Sequence, residues 1–113
     1  MKIKADVSTA NVTPAIWYAV GVLEALYYKH GQSLVVTSLT DGKHSESSLH
    51  YVGKAVDVRT KDVNHFTLDQ IVAEVKQLMR PLGFDVVQEA DHLHVEFDPK
   101  PGREEWTIRL SHA

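Results

Sequence analysis

The chain contains no cysteine. That excludes a disulfide-stapled scaffold, a thiol nucleophile and any cysteine-ligated zinc finger. It leaves the compartment open, because a chain without thiols suits reducing and oxidising surroundings alike. Excess charge of one sign is also missing: 12 Lys and Arg stand against 15 Asp and Glu, a net −3 with neutral histidines. Such a balance offers no electrostatic footprint for nucleic acid and no polybasic patch for a membrane surface. Long hydrophobic runs are absent too. The longest apolar stretch, 15–28, is broken by Glu24 and falls short of the roughly 20 residues a bilayer span needs. Met1-Lys2-Ile3-Lys4 opens with charge, but no apolar core or cleavage site follows, so we read no signal peptide and expect synthesis in the cytoplasm.

What remains is an ordinary globular composition. The 113 residues are 43% hydrophobic and 24% charged, without repeats, low-complexity tracts or a domain-splitting linker. One domain over 1–113 follows, and it should bury roughly 65% of the surface its unfolded chain exposes. The one excess is histidine: seven residues, about three times an average share.

Thr13-Pro14 is a good helix start, with Thr13 as cap and Pro14 at the first helical position. That helix should run to about His30 and stop at Gly31. Being apolar nearly all round, it is expected to be central, with Trp17, Tyr18, Tyr27 and Tyr28 in the core. Leu34 to Leu39 reads as a buried strand and Thr40 to Leu49 as a polar loop. In the strand Lys54 to Arg59, Val56 and Val58 share one face, while Ala55, Asp57 and Arg59 share the other. Leu68, Ile71, Val72, Val75, Leu78, Met79 and Leu82 follow helical spacing, with Thr67 as cap and Pro81 and Gly83 at the end. Phe84 to Val87 and His92 to Phe97 form a hairpin, and Glu105 to Leu110 a last strand. This order predicts an α+β fold with two principal helices and a mainly antiparallel sheet.

Two segments carry chemistry. In Glu89-Ala90-Asp91-His92-Leu93-His94-Val95-Glu96, period-two alternation puts His92, His94 and Glu96 on one face of a strand. In Ser48-Leu49-His50-Tyr51-Val52-Gly53-Lys54-Ala55-Val56-Asp57, His50 ends the polar loop and Asp57 lies on the strand after it. The two can meet if the chain turns at Gly53, whose missing Cβ permits a tight bend or close approach. A catalytic zinc site needs three protein ligands and one open position for water. His50, Asp57 and His94 would supply two imidazoles and a carboxylate. A nearby carboxylate must then take the water's proton and pass it to the leaving amine. Asp91 is the first choice and Glu89 the second. His92 would face the same site without ligating, placed to stabilise an oxyanion.

The pattern Ser48-x-His50-x-x-Gly53-x-Ala55-x-Asp57 followed by Asp91-His92-x-His94 resembles the zinc D,D-carboxypeptidase and L-alanyl-D-glutamate endopeptidase family of bacteria and phages, whose fold the hedgehog signalling domain shares. The resemblance covers about residues 34 to 97. Five fixed residues within ten positions arise by chance on the order of once in 10⁴ chains of this length. It implies that His50, Asp57 and His94 are zinc ligands, that Asp91 is the acid/base carboxylate and that His92 is an active-site histidine. It further implies a peptidoglycan stem peptide as substrate, and delivery of the protein to the cell wall. The family's loop arginine has no counterpart in Thr37 to His44. Lys43 offers its charge without the bidentate fork, Arg59 is a second candidate, and His44 and Ser48 are placed to line the cleft.

Plainer readings stand beside these. His30, His65 and His112 read as surface or satisfied core histidines. Asp91 could simply close a hairpin. The whole pattern would also suit a non-catalytic zinc-binding module with the same fold. An iron oxygenase shares the two-His, one-carboxylate composition, but its first His and its carboxylate usually lie two residues apart, not seven.

Overall fold

Leu68, Ile71, Val72, Val75 and Met79 recur at helical spacing and all five are buried. They form the inner stripe of α2, His65–Met79, one of two helices in the computed structural model, which describes residues 1–40 and 52–99. The other helix is α1, Pro14–Lys29, with Pro14 in its first turn and Gly31 just beyond its end at φ 71°. Both helices lie against one face of a five-stranded sheet. Its strands are β1 Lys2–Ile3, β2 Val35–Ser38, β3 Ala55–Arg59, β4 Phe84–Gln88 and β5 His92–Phe97, in the order β1-β2-β3-β5-β4. Only the β1–β2 pairing is parallel. The α+β class with two helices and a mainly antiparallel sheet is thus the observed architecture.

Val36, Val56, Val58, Phe84, Val86, Leu93 and Val95 supply the sheet's half of the core, meeting Ile16, Val20, Leu23 and Tyr27 of α1 and the inner stripe of α2. Burying each such side chain stabilises the fold by roughly 1.5–3 kcal/mol. Alternation does the rest: every second residue of β3, β4 and β5 faces the helices, so the intervening ones share the opposite face. Beyond Met79 the chain tightens into a 3₁₀ turn, Arg80–Leu82, and leaves it through Gly83 at φ 98°.

The structure departs from the sequence reading in three places. Asn64, not Thr67, caps α2: its side chain accepts a 2.9 Å hydrogen bond from the Thr67 backbone N–H. Of the α1 aromatics only Tyr27 is fully buried; Trp17, Tyr18 and Tyr28 are exposed, because α1 covers the sheet with one face instead of lying inside the core. The two-residue β1 carries no periodic signal and emerges only through its pairing with β2. The expected strand Glu105 to Leu110 lies outside the described residues.

Two contacts fix the scaffold around β3. Gly53, at φ 72°, passes so close to the preceding loop that a Cβ there would lie 2.0 Å from the Asn11 carbonyl oxygen. The Gly53 carbonyl accepts from both the backbone N–H and the hydroxyl of Thr13, tying the start of β3 to the start of α1. At the other end of the strand, the Tyr27 hydroxyl donates a 3.0 Å hydrogen bond to the Arg59 carbonyl.

Gly53→Ala should therefore combine left-handed strain with a backbone clash and lower stability by about 2–4 kcal/mol. Gly31→Ala, with the same sign of φ but open space around it, should cost only about 1 kcal/mol; equilibrium urea unfolding of both variants compares them. Burial pushes the Tyr27 hydroxyl up to about 12. A raised folded value means that the neutral phenol stabilises the fold fully below pH 10 and loses that contribution as pH climbs toward 12. Tyr27→Phe should cost about 1 kcal/mol at pH 7, and the gap should close or invert above pH 10.5 in the same assay.

Candidate metal centre

The face of the sheet turned away from the helices collects the polar side chains. On β5 these are His92, His94 and Glu96, while Leu93 and Val95 enter the core. On β3 they are Asp57 and Arg59, beside the buried Ala55. Antiparallel register sets Asp57 opposite His94, Arg59 opposite His92 and Ala55 opposite Glu96. Directly opposed side chains leave the sheet on one side and reach each other.

Asp57 Oδ1 lies 2.7 Å from His94 Nδ1, and Glu96 Oε1 lies 2.9 Å from His94 Nε2. An ionised carboxylate can only accept, so a carboxylate at each ring nitrogen favours the ring with two N–H groups. Consistently, the Asp57 hydrogen bond, with Glu96 adding to it, raises the His94 pKa above its ordinary value against the opposing effect of burial. The two side chains are 13% and 20% exposed, too deep for the carboxylate to go without a cation.

A metal ion could take the proton's place. One hard oxygen and one imidazole nitrogen suit zinc. Zinc bonds of about 2.0–2.1 Å at the tetrahedral angle put ligand atoms about 3.3 Å apart. Asp57 Oδ1 and His94 Nδ1, at 2.7 Å, would separate by only about 0.6 Å to admit it. The donors fit. The third expected ligand, His50, lies outside the described residues, as do Lys43, His44 and Ser48.

His92 occupies the next position along the same face. Its Nδ1 is 2.7 Å from Asp91 Oδ1, and its Nε2 is 3.9 Å from Asp57 Oδ2. The His92 hydrogen bond holds the Asp91 carboxyl below its usual range. Asp91 sits in the β4–β5 turn, where its carbonyl also accepts from the Thr60 N–H, so the turn reading and the site reading describe one residue. Glu89 is exposed in the same turn, its N–H donating to the His92 carbonyl. It does not line the cleft beside Asp57.

That cleft has a volume of about 280 Å³. Asp57, Asp91 and His92 form one wall, Thr37 and Ser38 of β2 another, and Lys4, Arg59 and Lys61 bring three cations to it. Arg59 lies 3.6 Å from Asp62, and Lys4 lies 3.7 Å from Asp6. Arg59 thus stands where the sequence places it, two residues beyond Asp57. Lys4 and Lys61 went unmarked. Lys4 follows β1, whose placement depends on a parallel pairing invisible in the sequence. Lys61 lies beyond the end of β3.

A second cluster was also missed. Among the described residues, Asp85, Glu96 and Asp98 form the triad whose ligand atoms all lie within 4.8 Å of one another. Asp85 faces Glu96 across the hairpin, a pairing legible once the turn length is known. An all-oxygen set of this kind matches hard cations, and such acidic groups also occur without any ion.

The family model of the Hedgehog amino-terminal signalling domain matches residues 25–97, nearly two-thirds of the chain. The matched span contains Asp57, Asp91, His92 and His94. No curated protein matches the chain.

Because His92 holds the Asp91 carboxyl ionised, His92→Ala should raise the Asp91 pKa back to the ordinary carboxylate range. A ¹³C carboxyl titration by NMR reads this directly. An unchanged low midpoint in the variant would show that the histidine is not the cause.

Proposed function

The chain belongs to the Hedgehog amino-terminal signalling domain family, and from that premise we propose that it is a zinc-dependent peptidase acting on peptidoglycan stem peptides, of the D,D-carboxypeptidase or L-alanyl-D-glutamate endopeptidase type. The family's fold is shared with zinc peptidases. The observation that carries the reading is the Asp57–His94 pair on the open sheet face, whose Asp57 lines a polar cleft with three cations.

When bound, zinc lowers the pKa of its water to about 7 and polarises the substrate carbonyl. Asp57 and His94 would hold it, with His50 as third ligand by the resemblance. Arg59, Lys4 and Lys61 bind and orient a carboxylate of the stem peptide. His92 faces the cleft and donates to the developing oxyanion. Asp91, ionised and beside that histidine, takes a proton from the attacking water and returns it to the leaving amine. Its low pKa limits its strength as a base, which keeps Glu89, in the same turn, as the alternative. The protein reaches its substrate at the cell wall.

A second reading has an observation of its own. The matching family is named for signalling, and Thr37 to His44 lacks an arginine. A zinc-binding module without turnover, serving a structural or interaction role, would keep Asp57 and His94 and need neither Asp91 nor the cations.

Zinc-loaded protein should release new amino termini from purified peptidoglycan, lose this activity on chelation and regain it on zinc addition. Asp91→Asn should reduce turnover by about 10²–10⁴-fold while keeping about one zinc per chain. His50→Ala should lose the metal. Release of no amino termini by a fully zinc-loaded chain would refute the peptidase and leave the module.

A further inference from the structure

We infer that Glu96 is a positioning residue that locks the His94 ring so that a metal is taken through Nδ1, on the Asp57 side. This rests on the metal-centre reading above. Glu96 is two residues after His94 on β5, on the same face, and its Oε1 lies 2.9 Å from His94 Nε2. The side chains are 24% and 20% exposed, shielded enough for the contact to be sustained.

A histidine ring has two orientations about its last torsion, roughly half a turn apart. Without Glu96, the flip gives up the Asp57 contact. With Glu96 at the far nitrogen, a flipped ring presents C–H to both carboxylates and gives up the Glu96 contact as well. Glu96 at Nε2 turns the Nδ1 edge of the ring toward Asp57. A ligating imidazole that donates its other N–H to a carboxylate is both oriented and made more basic, and loss of such a partner typically weakens metal binding by about 10–100-fold. The rival role for Glu96 is to join Asp85 and Asp98 around a hard cation.

The test measures zinc affinity by competition with a chromophoric chelator, and calcium affinity by calorimetry, on the full chain. Glu96→Ala should weaken zinc about 10–100-fold without shifting the circular dichroism spectrum. Glu96→Gln, whose amide oxygen still accepts from Nε2–H, should recover most of that loss. Asp85→Asn, which removes a neighbouring charge of the same cluster, should change zinc affinity by less than about threefold. In ¹⁵N NMR of the zinc-loaded wild type, His94 should carry its proton on Nε2 only. Unchanged zinc affinity in a folded Glu96→Ala overturns the inference alone. So does loss of calcium binding with zinc binding intact. If Glu96→Ala does not fold, the wild-type spectrum decides, and a proton on Nδ1 overturns the inference. A wild type that binds no zinc overturns the metal-centre reading together with this inference.

Discussion

The pairing of the Asp57 carboxylate with the His94 imidazole is the constraint on which the polar half of the molecule depends. A carboxylate held at 13% exposure on a β-strand is stable only beside a positive charge. Asp57 faces an imidazole whose pKa is raised on the strand next to it, and that requires β3 and β5 to be in one register. A slip of a single residue would turn Asp57 toward Leu93 or Val95 and drive a charge into the helix-covered core. The same register brings His92 toward Arg59 and Glu96 toward Ala55. One partly buried carboxylate–imidazole pair and one apolar face therefore select the same alignment for opposite reasons.

The rest of the scaffold serves to keep that alignment rigid. β5 lies between β3 and β4, so its histidines rest on a strand paired along both edges. α1 is tied to both ends of β3, through Thr13 at Gly53 and Tyr27 at Arg59. α2 packs its aliphatic stripe under the same strands, and Glu74 on it pairs with Lys29 and His30 at the end of α1. Side chains of the polar face sit on elements whose opposite surfaces are close-packed. Groups that must meet within a few tenths of an ångström need such support more than they need mobility.

Much of this arrangement is written in local pattern. The helical spacing of Leu68 to Met79, the Thr13-Pro14 start, the positive φ at Gly53 and the alternation of His92, His94 and Glu96 all follow from steric rules acting over a few residues. Candidate chemistry was legible for the same reason: Asp57 between two valines is conspicuous because an ionised side chain in an apolar strand needs an explanation. The misjudged features share a different cause. Asn64 and Thr67 are both competent caps, and the choice between them turns on where the preceding loop delivers the chain. Trp17, Tyr18 and Tyr28 are apolar enough for a core, yet a helix lying on a sheet has only one inner face. β1 is two residues long and has no period to detect.

By itself, the sequence determined which residues could carry charge into the sheet, which faces of the strands they would occupy and which turn had to be glycine, because each of these depends on chain stereochemistry over short distances. Only the tertiary structure decided that Asp57 would meet His94 at Nδ1 while Glu96 met it at Nε2, that Lys4 and Lys61 would share a cleft with Arg59, and that Asp85 would stand across from Glu96. Those outcomes depend on strand order and register, which arise when separated segments bury their apolar faces against the same two helices.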